Sequence, residues 1–166
     1  MNIVRRTANL ALAVLQPSTE VRSWSRQVAW TVFRVVLGIM MIHNGFDKLA
    51  DIEGFAVAYV QVIGLPFPIF FAYCAAYTEI VGSVLLMLGI FSRPAAIALA
   101  GTMAVAIYHH ILVAGFSLPY LELSAIYFAA FAFLAINGSG IYSGDRWLSR
   151  WLATTLGLSS EQQAAS

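Results

Sequence analysis

Few side chains in this 166-residue chain can hold a charge or move a proton, and several of them stand inside long apolar runs. Arg34 and Glu79 lie within such runs, as do His109 and His110, while His43, Asp47 and Lys48 close the first run and Glu122 opens the last. An ionisable group at the centre of a hydrocarbon layer costs about 2.5 to 3.5 kcal/mol even on the lenient translocon scale, so each one needs a partner or a task. A rise of about 1.5 Å per helical residue, across a core of about 30 Å, sets Arg34 about 9 Å and Glu79 about 14 Å from the same face. A long arginine covers that gap. The spacing therefore predicts a buried Arg34–Glu79 pair, which either floors a polar pocket or fixes helix register.

The same count puts His43, His109 and His110 at about 22 to 24 Å from that face and Glu122 at about 25 Å. With Asn44, Asp47 and Lys48 nearby, the outer half of the protein could enclose a polar cavity suited to a proton relay, a quinone carbonyl or a metal. The plainer alternative is that each histidine sits among lipid headgroups. Two of the chemistries meet a geometric obstacle. A haem needs axial ligands on facing helices, yet His43 lies about 180° around its helix from Arg34, so haem is disfavoured if Arg34 faces inward. His109 and His110 project about 100° apart and cannot both face one ion from an undistorted helix, so no metal is assigned to them with Glu122.

The elements that must position these groups follow from composition. Hydrophobic residues make up 60% of the chain and charged residues 10%, against roughly one-quarter charged in a soluble domain. Lipid is the expected solvent. A net charge of +1 gives no reason to expect a nucleic-acid partner. The one cysteine, Cys74, permits no internal disulfide and no CxxC exchange, and it reads as a small buried apolar residue.

Four apolar segments, near 28–47, 68–90, 94–113 and 119–137, are each long enough to span. Pro68, Pro94 and Pro119 fall in first helical turns, and Asn137-Gly138-Ser139-Gly140 supplies a stop. Short connections between the last three make them antiparallel neighbours. The fold expected is an all-α membrane protein, an antiparallel four-transmembrane-helix bundle. The stretch 49–67 is too short and too polar to cross, and reads as an interfacial helix or re-entrant turn closed by Gly64-Leu65-Pro66. In the first span Arg34, Gly38, Met41, Gly45 and Lys48 share one stripe, and in the second Ala72, Ala75, Glu79, Ser83 and Leu86 do so; both stripes should face the bundle.

Arg5, Arg6, Arg22 and Arg26 precede the first span, Arg93 lies in the loop between the second and third, and Arg146 and Arg150 follow the fourth. By the positive-inside rule both termini are cytoplasmic, and Trp24, Trp30, Tyr142, Trp147 and Trp151 form an aromatic belt on that side. Arg5 and Arg6 before the brief apolar stretch 10–15, with no clear small-x-small site after it, favour an amphipathic helix on the membrane face over a cleaved signal peptide. The chain thus divides into an amphipathic segment 1–26, a four-helix domain 27–145 and a cytoplasmic tail 146–166.

Arg34 with Gly38, Gly45-Phe46-Asp47-Lys48, Gly64-Leu65-Pro66, Glu79-Ile80-Val81-Gly82 and Gly89-Ile90-Phe91-Ser92-Arg93-Pro94, followed by His109 or His110 and Glu122, together resemble the DoxX family of small four-helix membrane proteins over roughly 28–145. The resemblance implies a multi-pass subunit of a bacterial inner membrane, or an equivalent energy-transducing membrane, linked to redox metabolism. Relatives include the membrane part of a thiosulfate-oxidising, quinone-reducing enzyme and members of oxidoreductase assemblies with soluble partners. It also implies Arg34, Lys48, Glu79, Arg93 and Glu122 as residues of structural or functional weight. The N-terminal extension and the doubled histidine depart from a minimal member.

The leading expectation is a redox-associated subunit that binds a quinone between its helices, with Arg34, Glu79, Lys48, His109, His110 and Glu122 as candidate polar contacts, and shares catalysis with a partner oxidoreductase. The alternatives are a non-enzymatic scaffold that recruits a soluble partner through its N-terminal helix, and a small-solute transporter assembled as a homo-oligomer.

Overall fold

The computed structural model describes residues 24–140 and 142–155. The expected amphipathic segment falls almost wholly on residues 1–23, outside the described residues. Six α-helices follow one another: α1 Trp24–Ala50, α2 Ile52–Phe55, α3 Pro68–Leu88, α4 Ser92–Ala114, α5 Leu118–Asn137 and α6 Gly144–Thr155, with a π-helical turn at Ala56–Val60 and no strand among the described residues. Helices α1, α3, α4 and α5 are each long and apolar enough to cross a membrane. This is the all-α, four-span architecture expected from the apolar runs.

The stops and starts have local causes. Pro68 and Pro119 occupy opening positions of α3 and α5, where a missing N–H breaks no helical bond. Gly89 ends α3 with φ of 69°, and its N–H returns to the Leu86 carbonyl while that of Ile90 reaches Leu85. The connection after α1 is not a span. Asp51 caps α2 by accepting from the Gly54 N–H at 3.0 Å, and the chain then widens into the π turn, where Gln61 donates to the Ala56 carbonyl at 2.9 Å. Ala56 and Val60 of this turn bury themselves against Ala72 of α3.

Packing is uneven. α1 lies closely along α3, and α4 closely along α5, while α3 and α4 meet over a shorter stretch. The α1–α3 approach depends on glycine: a Cβ on Gly45 would stand 2.6 Å from Ile80 Cγ1 and 3.0 Å from the Ala76 carbonyl oxygen. The predicted stripe of α1 does face inward, with Arg34, Gly38, Met41 and Gly45 all buried. Leu37 and Met41 then join Leu86, Leu99, Phe131 and Leu134 in one apolar core. That core occupies the levels of α1 between Arg34 and Lys48.

Candidate functional site

Two buried polar clusters occupy different levels of the bundle. The first lies at the end where α1 begins, here the basal end. There the Arg34 guanidinium donates to the carbonyls of Ser139 and Tyr142, the latter at 2.9 Å, and more weakly to that of Met87 at 3.4 Å. Asp145, 2% exposed, accepts from the backbone N–H of Phe91 at 2.6 Å and Ser92 at 3.1 Å and from the Ser139 hydroxyl at 3.2 Å, while its own N–H donates to the Gly89 carbonyl at 2.7 Å. An arginine thus meets the carbonyl end of α3 and an aspartate the amide end of α4, each the sign that the helix dipole favours. Phe91 holds the left-handed conformation, φ 48°, at the turn that Asp145 grips.

The second cluster is at mid-bundle. Lys48 Nζ lies 2.6 Å from Glu79 Oε2, the lysine side chain 18% exposed and the glutamate 1%. The predicted Arg34–Glu79 pair is therefore replaced by a Lys48–Glu79 pair, with Arg34 held by loop carbonyls. The reason is the tilt of Cα–Cβ bonds toward a helix N-terminus. In antiparallel α1 and α3, Arg34 leans toward the basal end while Glu79 leans the other way, toward the level of Lys48. Lys48 leans back down α1 to meet it.

The ion pair borders a cavity of about 900 Å³ between the α1–α3 and α4–α5 pairs. Lys48, Glu79, His109 and His110, together with Asn44 and Tyr127, lie on its walls. A lid covers the end away from the base. The rings of Phe55 and Tyr59 stack at 4.8 Å, Tyr59 meets His109 at 4.4 Å, and His109 meets His110 edge-on at 5.5 Å. Lys48 Nζ stands 5.3 Å from the centre of the Phe55 ring, within cation–π range. His109, 7% exposed, bonds through Nε2 to the carbonyl of Ala58 in the π turn at 3.0 Å. A carbonyl only accepts, so Nε2 carries the proton. The cavity's exposed walls include Cys74 on α3 and Ala98, Gly101 and Val105 on α4, so it opens where these two helices part. Cys74 is thus exposed on a cavity wall instead of buried in the core.

Four of the expected site residues, Lys48, Glu79, His109 and His110, come together here. Arg34 belongs to the basal cluster. Arg93 is half-buried in the first turn of α4, and Glu122 is exposed near the start of α5; neither lines the cavity. His43 points outward beside Asp47 at 3.3 Å, both exposed. Asp145 was missed by sequence reading because an acid between Gly144 and Arg146 resembles a solvated loop residue. The one signal was its isolation: among the described residues it is the only acid at an end rich in arginine.

Four spans around a largely apolar, laterally open cavity with a buried ion pair on its wall define an all-α membrane protein. A family model, DoxX, matches residues 29–115, from α1 through the end of α4, and so includes Lys48, Glu79, His109 and His110. The Inner membrane protein YphA of Escherichia coli (strain K12) is 30% identical over 129 residues, covering 74% of this chain and 91% of that protein. The chain belongs to the DoxX family. No solved structure matches it.

Proposed function

We propose that this chain is an inner-membrane, redox-associated subunit that binds a quinone-like molecule in the cavity between its helix pairs and works with a partner oxidoreductase. The observation that carries the reading is the Lys48–Glu79 pair, which is buried beside a cavity of about 900 Å³. That volume lies within the range of about 300 to 1,000 Å³ usual for small-molecule sites. A lysine ammonium has three N–H donors. One goes to Glu79 and one to the Asn44 carbonyl at 3.4 Å, which leaves the third for a ligand oxygen.

The residues fit such a ligand. Lys48 would hold a carbonyl oxygen, the aromatic lid of Phe55 and Tyr59 would lie against a flat ring, and the opening between α3 and α4 would admit a molecule dissolved in lipid. A bound quinone would supply a carrier of two electrons and two protons. Glu79 keeps the lysine charge balanced in the low-dielectric interior and offers a carboxylate that can hold a proton within the site. The arginines at the basal end support cytoplasmic termini, and the name of the Escherichia coli relative supports the inner membrane.

The test is purification in mild detergent, mass-spectrometric identification of co-purifying lipophilic molecules, and titration with a short-chain quinone followed by quenching of intrinsic fluorescence. Saturable binding by wild type that is weakened at least tenfold in Lys48→Met is the expected result. Absence of saturable binding, or equal binding by both proteins, removes the reading.

A further inference from the structure

Helix α6 is tied to the basal end by its first two residues. The Asp145 carboxylate accepts from the Phe91 and Ser92 amides, its own N–H donates to the Gly89 carbonyl at 2.7 Å, and a Cβ added to Gly144 would collide with the Ile90 side chain. Among the described residues no helix packs along the rest of α6. At about 100° per residue, Trp147, Leu148, Trp151 and Leu152 share an arc of about 140°, while Arg146 and Arg150 lie within about 40° of each other on the opposite side. Thr155 falls in the apolar arc, but its hydroxyl turns back to the Trp151 carbonyl at 2.8 Å. Gly144 lies near the centre of the same arc and meets the α3–α4 turn, so the whole arc faces the base of the bundle and the two arginines face away from it. Trp147 and Trp151 are nonetheless 69% and 53% exposed, so their rings reach beyond the edge of the bundle.

We propose that α6 is an interfacial helix lying on the basal leaflet, with its apolar arc at the boundary of headgroups and acyl chains and with Arg146 and Arg150 among the phosphates of anionic lipids. Position, continuity and charge all name lipid as what covers the arc. The spans α3 and α4 end at the bilayer surface, and α6 is bonded to the turn that joins them, so its start is fixed at headgroup level. Exposed Leu88 and Phe91 flank that turn, and the lipid-facing surface of the spans therefore runs on into Trp147 and Trp151. Among the described residues neither the Arg146 nor the Arg150 guanidinium has an ion-pair partner, and the helix's acid, Asp145, is buried and already engaged. An anionic headgroup supplies the missing charge where a zwitterionic one gains little. A helix with this division of faces sinks its apolar side about 5 to 10 Å and keeps its polar side among the headgroups.

The experiment uses the purified full chain, labelled with fluorinated tryptophan and placed in phosphatidylcholine nanodiscs, its fluorine resonances assigned by single Trp-to-Phe variants. Broadening is supplied by spin-labelled phosphatidylglycerol, by spin-labelled phosphatidylcholine of identical acyl chains, or by a water-soluble gadolinium chelate. In wild type both lipids should broaden the Trp147 and Trp151 resonances and the chelate should not, with phosphatidylglycerol at least twofold more effective at equal mole fraction. R146Q/R150Q should abolish that excess while the Trp30 resonance keeps its wild-type shift, which reports an intact fold because its indole N–H is bonded to the Gly138 carbonyl. Broadening of Trp147 and Trp151 by the chelate alone overturns the interfacial helix, and shielding from all three reagents overturns it in favour of a protein cover. Equal broadening by the two lipids in wild type, or an excess that survives R146Q/R150Q, overturns the role given to the arginines.

Discussion

At the basal end the Arg34 guanidinium and the Asp145 carboxylate are occupied mainly by backbone carbonyls and amides, whereas at mid-bundle Lys48 and Glu79 meet side chain to side chain beside open space. Both clusters bury charge, but what they satisfy differs. Backbone groups at helix ends must be satisfied wherever water is scarce, and no ligand can take over that duty without unfolding the turn. A side-chain pair at the wall of a cavity can exchange one of its contacts for a ligand at small cost to the fold. The comparison makes the first cluster a matter of stability, and the proposed function gives the second to binding.

The largest effect that would test this division is expected from Arg34→Met. It strips the Ser139 and Tyr142 carbonyls of charged donors and should cost about 3 to 5 kcal/mol, read by denaturant titration of helicity in detergent. A loss below about 1 kcal/mol would dissolve the contrast, since an exposed pair accounts for as much. Next in size, Gly45→Ala drives a Cβ toward Ile80 and the Ala76 carbonyl, and should cost about 1 to 3 kcal/mol in the same titration because the α1–α3 seam cannot widen locally.

The double variant Lys48→Met/Glu79→Leu sharpens the other side. Replacing a buried ion pair by apolar residues of similar volume is often neutral or stabilising, so stability should change by less than about 1 kcal/mol while quinone binding is lost. Strong destabilisation would instead make the pair a folding device. The smallest effect expected is from His109→Phe. It preserves the contact with the Tyr59 ring and removes the bond to the Ala58 carbonyl, about 1 kcal/mol, so amide hydrogen exchange should quicken within residues 56–60 and leave the basal turns unchanged.

The four spans were legible because lipid imposes a simple length and polarity rule. The expected segment 68–90 is α3 at Pro68–Leu88, and 119–137 is α5 at Leu118–Asn137. The inward stripe of α1 was legible for a related reason, since 3.6-residue periodicity fixes which side chains share a face. Helix α6 was read only as part of a tail. Its 12 residues set Trp147, Leu148, Trp151 and Leu152 among polar side chains in a run too short to signal a span, and its first residues are fixed by the contacts of Asp145.

Depth along a helix, counted from sequence, brought Arg34 and Glu79 within reach of each other, but depth says nothing of the direction in which a side chain leans. Only the antiparallel setting of α1 against α3 decided that Glu79 faces Lys48 and that Arg34 faces the α3 terminus and the turn after α5. The cavity had the same origin, because empty space arises from how two helix pairs fail to close and no single residue encodes it. Sequence alone determined which segments cross the bilayer and which polar side chains they carry, through the cost of placing charge and unpaired backbone in hydrocarbon. Tertiary structure decided which of them meet, because a partner is chosen by side-chain direction and interhelical distance, and both are properties of the packed bundle.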